Sequence, residues 1–127
     1  MIEIEHLSKV YIDKNGRVNA LQDVSLSIQK GDIFGVIGMS GAGKSTLLRC
    51  LSMLETPSEG RILLEGQDLS TLKGAARRAA HKKMGVVFQG YNLLMQKTVA
   101  ENVAFPLKLT PYKKDDVEKR VAELLEL

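Results

Sequence analysis

The chain has 127 residues, 44% of them hydrophobic and 26% charged, with a formal net charge of +3. That is the composition of one ordinary globular domain, or part of one, with room for a modest core. Dispersed Lys and Arg give nucleic-acid binding no support, and the apolar stretches are too short to span a bilayer. A lone cysteine, Cys50, excludes an internal disulfide; it fits a reducing compartment and reads as a small packed residue.

Residues 2–7 alternate like a strand rather than a signal peptide, and Val10-Tyr11-Ile12 continues it. Asp13-Lys14-Asn15-Gly16 is a hairpin turn signal. Residues 20–28 alternate Leu21, Val24, Leu26 and Ile28 against polar neighbours, a half-buried antiparallel strand. Lys30-Gly31-Asp32 turns into residues 33–37, Ile-Phe-Gly-Val-Ile, which read as a short buried strand.

Gly38, Met39, Ser40, Gly41, Ala42, Gly43, Lys44, Ser45 and Thr46 then form a complete phosphate-binding loop. Its glycines let successive backbone N–H groups curl around a phosphate. Lys44 can reach the β and γ phosphates, and the Ser45 hydroxyl can bind Mg²⁺. Residues 44–54 read as a helix whose N-terminal dipole faces those phosphates.

Residues 55–60 form a loop, 61–65 a strand closed by Gly66, and 73–83 a polar helix. Lys73, Arg77, Arg78, Lys82 and Lys83 on that helix read as a solvated face, and His6 and His81 as solvated or structural. Met84-Gly85-Val86-Val87-Phe88 is a second buried strand ending at Gln89. Residues 99–107 form a short helix. Residues 115–127 form another, with Val117, Val121, Leu124 and Leu125 on one face that still runs at the last residue. Right-handed crossover logic makes 33–37 and 84–88 parallel members of one sheet. The phosphate loop and Gln89 then both lie at the carboxyl ends of its strands.

In this order, Tyr11, Leu21-Gln22-Asp23-Val24-Ser25-Leu26, Gly38–Thr46, Pro57-Ser58-Glu59-Gly60-Arg61-Ile62 and Val87-Phe88-Gln89 resemble the start of an ATP-binding cassette ATPase over the whole chain. Within that family, residues 41–50, 88–94 and 98–107 are similar to the ATPase subunits of bacterial methionine importers. Lipoprotein-releasing and macrolide-export ATPases look alike here.

The resemblance implies an α/β fold: a P-loop NTPase with a RecA-like core and an N-terminal antiparallel β subdomain, incomplete in this chain. Residues 1–32 would be mainly antiparallel β, 33–89 the core with β insertions, and 90–127 the start of the helical subdomain. It implies ATP and Mg²⁺ as cofactors. Tyr11 would stack on adenine, Gly38–Thr46 would bind phosphates, and Lys44 and Gln89 would serve catalysis, with Ser45 and Gln89 at the metal. The segment after Gln89 would meet transmembrane permease subunits. Two ATPase subunits would pair as a homodimer at the cytoplasmic face of the membrane, and a periplasmic or lipoprotein solute-binding protein would act indirectly.

The Asp-Glu strand end that supplies the general base, the Leu-Ser-Gly-Gly signature and a late histidine do not occur in these residues; in the family's order they follow residue 127. A non-catalytic nucleotide-binding fragment therefore stands beside the transport ATPase. The Asn-Lys-x-Asp segment of a GTPase is absent, and nothing marks the acceptor site or lid of a small-molecule kinase. In the family a further strand lies beside the one that leads into the phosphate loop. Without it these 127 residues would expose apolar edges and faces. By themselves they are expected to self-associate or dissolve poorly, and a monodisperse, cooperatively melting monomer on sizing and calorimetry overturns that expectation.

Overall fold

The computed structural model describes residues 1–14 and 16–127, without the side chain of Leu109. Asn15 of the predicted turn lies outside the described residues. The chain divides into two units, residues 1–86 and 87–127, and each is described by itself.

In the first unit, strands β1 (Ile2–Asp13), β2 (Gly16–Ile28), β3 (Glu59–Leu64) and β4 (Gln67–Asp68) form one antiparallel sheet in the order β2-β1-β3-β4. β1 and β2 pair from Ile2↔Ile28 to Asp13↔Gly16, so the hairpin predicted around the Asn-Gly step closes. Helices α1 (Lys44–Leu51) and α2 (Gly74–His81) belong to the same unit. The core unites Ile4, Leu7, Leu21 and Ile62 of the sheet with Leu47 and Cys50 of α1, Ala80 of α2, and Met53 and Leu69. Burying a side chain the size of Ile4, Leu7 or Ile62 stabilises by roughly 1.5–3 kcal/mol. Cys50 is the packed residue the sequence implies, and its burial pushes the thiol above its ordinary value.

β1 changes face part-way along. Strict alternation from Ile2 and Ile4 would turn His6 inward. Instead the pairing with both neighbours shifts register after Ile4 and Glu5, and His6 adopts a left-handed φ of 51°. Such a bulge adds one residue to the repeat. Leu7 therefore takes the core position and is fully buried, while His6 is exposed.

Side chains replace the interrupted ladder. His6 N–H donates to Ser25 Oγ at 2.9 Å, Asp23 N–H donates to Ser8 Oγ at 3.0 Å, and His6 Nδ1 lies 2.7 Å from Asp23 Oδ1. Gly60 of β3 presses on the bulge. Its φ is +80°, and a Cβ there would sit 2.3 Å from the His6 carbonyl oxygen and 2.5 Å from that of Glu5.

The two apolar runs depart from the sequence expectation. Residues 33–37 and 84–88 are not strands, and the described residues contain no parallel strand pair. Ile33, Ile37 and Val87 are fully exposed. A strand needs a ladder on at least one edge, and neither run pairs with any of the four strands of the sheet. α1 also ends at Leu51 rather than Leu54, closing on Ser52. Arg77 is not simply solvated, because it donates to the Met53 carbonyl at 2.6 Å and ties α2 to the segment after α1.

In the second unit, Thr98 and Glu101 form a reciprocal capping box at helix α3 (Val99–Ala104). The backbone hydrogen bond from Thr98 holds the Glu101 carboxyl below its ordinary value. Asn102 accepts from Leu94 N–H and donates to the Leu94, Lys97 and Thr98 carbonyls, which fastens the preceding loop to α3. A 3₁₀ turn (Pro106–Leu109) follows α3. Helix α4 (Lys114–Leu125) buries Val121 and half-buries Val117, while Leu124 and Leu125 stay exposed.

Replacing Gly60 with Ala is expected to destabilise the first unit by about 2 kcal/mol or more, because neither the backbone angle nor the bulge carbonyls admit a Cβ. A shift in the urea midpoint measures this, and an unchanged midpoint contradicts it.

Candidate functional site

The candidate site is built on the segment joining β2 to α1. α1 begins at Lys44, with Gly43 as N-cap at φ 88° and ψ −1°. Only a glycine serves here, because a Cβ on Gly43 would lie 2.4 Å from the Ala20 carbonyl oxygen of β2. The loop thus meets the sheet backbone to backbone. No side chain caps α1 and no acidic residue occupies its first turn. Its first N–H groups are left for a ligand, and the helix dipole favours an anion.

Lys44 folds back across the loop, donating from Nζ to the Gly38 carbonyl at 2.8 Å and the Met39 carbonyl at 2.7 Å. The Ala42 N–H closes a turn on the Met39 carbonyl at 3.2 Å. A single positive charge is therefore held at the mouth of a ring of glycines and helix N–H groups. Ser45 is exposed at the helix start and Thr46 is half-buried behind it. The described residues contain no group of three or more His, Cys, Asp or Glu side chains able to hold a metal. The exposed Ser45 hydroxyl at the start of α1 is a side-chain oxygen that could serve as a protein ligand to a cation there.

Tyr11 lies in the same unit. Its pairing partner on β2 is Val18, two residues from the Ala20 that Gly43 touches, or about 7 Å along the strand. Lys9 sits over the Tyr11 ring, with Nζ 5.0 Å from the centroid. The same ammonium donates to Glu55 Oε1 at 2.7 Å and to the Thr56 carbonyl at 2.8 Å. Glu55 N–H and Leu54 N–H both reach the Arg49 carbonyl of α1, at 3.0 and 2.9 Å. Ser58 completes the join, accepting from Val10 N–H at 3.0 Å and donating its own N–H to the Ser8 carbonyl at 2.8 Å.

The Glu55 carboxyl is held below the ordinary glutamate value, first by the hydrogen bond from Lys9. Burial opposes the shift, while the charges of Lys9 and Arg49 and a hydrogen bond from Tyr11 add to it.

The structure thus brings Tyr11 and residues 38–46 together in one unit. Gln89 belongs to the other, where it starts a turn followed by left-handed Tyr91 and Asn92, with φ values of 60° and 50°. Lys9, Glu55 and Ala20 are absent from the sequence-based set. Lys9 and Tyr11, two apart on a strand, share a face and could have been paired. Nothing in the sequence joins Glu55, 46 residues further on, to Lys9.

Residues 21–127 match the family model of the ABC transporter. Over all 127 residues the chain is 49% identical to the methionine import ATP-binding protein MetN of Desulfitobacterium hafniense and to that of Geobacillus kaustophilus. It is 48% identical to MetN 1 of Listeria innocua. The chain spans only 37–38% of the length of these relatives. Among solved structures, a dimeric post-hydrolysis state of the ATP-binding cassette MJ0796 bound to ADP and Pi matches with a TM-score of 0.89 at 30% identity, covering 99% of this chain and 56% of that one. A second dimeric structure of MJ0796, a bacterial ABC transporter cassette, gives the same TM-score at 31% identity.

Because Glu55 titrates at lower pH when folded than when unfolded, its ion pair stabilises above the unfolded value and is lost as pH falls through the folded one. A Glu55→Gln variant is expected to melt below the wild type near neutrality. The gap should narrow from about pH 4.3 downward. Paired thermal melts across pH test this, and a gap that is constant or widens in acid contradicts it.

Proposed function

We propose, from the premise that this chain belongs to the ABC transporter family, that it forms the ATP-binding part of a transport ATPase serving methionine-type amino-acid import. The observation that carries the reading is the uncapped start of α1, where Gly43 meets the β2 backbone and Lys44 spans the loop. In this reading Gly38–Thr46 cradle the phosphates through backbone N–H groups, and Lys44 exchanges its two carbonyl acceptors for phosphate oxygens. Mg²⁺ supplies charge neutralisation between the phosphates when bound, with Ser45 as its protein ligand. Tyr11 provides a stacking surface for the base, and such a surface discriminates weakly among bases.

Gln89 follows the family role near the metal and the attacking water. The residues after it face permease subunits; Tyr91 and Met95 are strongly exposed and Leu93 is exposed as well. Identity of 48–49% to methionine import ATP-binding proteins supports the solute class. The dimeric MJ0796 structures support pairing of two such subunits. Among the described residues no helix is long and apolar enough to cross a membrane, in keeping with a peripheral subunit at the cytoplasmic face. The proposed organisation is an antiparallel β subdomain over 1–32, the nucleotide-binding core over 33–89 and the start of the helical subdomain from 90.

Hydrolysis needs a carboxylate base and a γ-phosphate cap that these residues do not include, so the proposed work of this part is binding and orientation. In the full-length protein, Lys44→Ala is expected to abolish MgATP binding measurable by titration calorimetry. Unchanged affinity refutes the assignment.

A further inference from the structure

We propose that Lys9 is a positioning residue for nucleotide binding: it holds the Tyr11 ring as a base platform and locks that platform to the far end of the phosphate-binding helix through Glu55. The inference rests on the reading of Tyr11 as the base-stacking residue.

Lys9 has a nearly buried side chain, only 12% exposed, and three partners meet at its ammonium: the Tyr11 ring, Glu55 Oε1 and the Thr56 carbonyl. A buried lysine is costly unless it is paired and hydrogen-bonded, and here all three donor directions have a use. The Lys9 ammonium lies over the Tyr11 ring while Tyr11 stays 37% exposed, and that exposed part of the side chain is the surface assigned to the base. A cation fixed over an aromatic face restrains its tilt, and stacking depends on the orientation of both planes.

The anchor is what makes this more than local packing. Glu55 hangs directly from α1 through the Arg49 carbonyl, and the opposite end of α1 starts at Gly43, against Ala20. The base platform and the phosphate loop are therefore joined twice: through the β1–β2 pairing near Tyr11 and Val18, and through α1, Glu55 and Lys9. Adenosine and triphosphate must be held at a fixed separation, and this closed circuit sets it.

The test is a double-mutant cycle in the full-length protein, reading the Kd for MgATP. Lys9→Met is expected to weaken binding by about five- to tenfold, with Lys9→Arg restoring most of it because it keeps the charge over the ring. In a Tyr11→Ala background, which is itself weakened, Lys9→Met should add less than about twofold. A Lys9→Met affinity within twofold of wild type overturns the proposal, as does a full additive loss in the Tyr11→Ala background. If Lys9→Met fails to fold, Glu55→Leu decides. It removes the carboxylate that accepts from Lys9 with little change in size, and an unchanged Kd overturns the proposal. Should Tyr11→Ala bind MgATP as well as wild type, the base-stacking reading itself falls, an outcome distinct from failure at Lys9 alone.

Discussion

The site depends on one crowded contact between backbones, where Gly60 of β3 presses on the carbonyls of Glu5 and His6. That contact coincides with the bulge that shifts the alternation of β1. Ile2 and Ile4 face the core before it; Leu7 does so after it. With Leu7 as the new reference, Lys9 continues the same parity and reaches the segment after α1, and its ammonium lies over Tyr11. Continued regular pairing would have sent the residues after the bulge to the opposite face. The hydrogen bonds of His6, Ser8, Asp23 and Ser25 hold the bulge from the β2 side. The missing Cβ of Gly60 allows it from the β3 side. A packing constraint remote from the phosphate loop thereby decides which face presents the aromatic ring.

A second close approach governs the other end of the site. Gly43 meets the Ala20 carbonyl, so the first turn of α1 is seated against β2 without an intervening side chain. Leu47 and Cys50 then anchor the helix in the core. Because α1 is fixed by its buried face, its N-terminal N–H groups need not be satisfied by a cap and can point at an anion. Packing supplies the stability that capping would otherwise contribute. The absence of acid in the first turn and the recruitment of Lys44 across the loop leave a locally positive mouth in a chain of only mild net charge.

The contrast between the paired and unpaired apolar segments has a simple origin. Residues 2–13 and 16–28 are joined by a two-residue connection, so they find each other locally and form a long ladder. Residues 33–37 and 84–88 have comparable apolar content, yet they form no ladder and leave Ile33, Ile37 and Val87 in solvent. Apolar character makes a segment suitable for a buried strand, but only neighbouring strands supply partners for its N–H and C=O groups. α3 is different, because its capping box and Asn102 satisfy its start within a few residues.

The early hairpin, the helices after residues 43, 73 and 98 and the packed state of Cys50 were legible in the sequence by itself. Each rests on local chemistry: turn residues and apolar or polar periodicity. The family was legible for the same reason, since its landmarks come in order along the chain. The tertiary structure alone decided the face of Tyr11, the partnership of Lys9 with Glu55 across 46 residues, and the need for glycine at 43 and 60. It also decided that two apolar runs stand without a ladder. These are matters of register and of contact between distant backbones. An alternating sequence cannot reveal a bulge that shifts its own alternation, and a glycine does not announce which carbonyl lies against it.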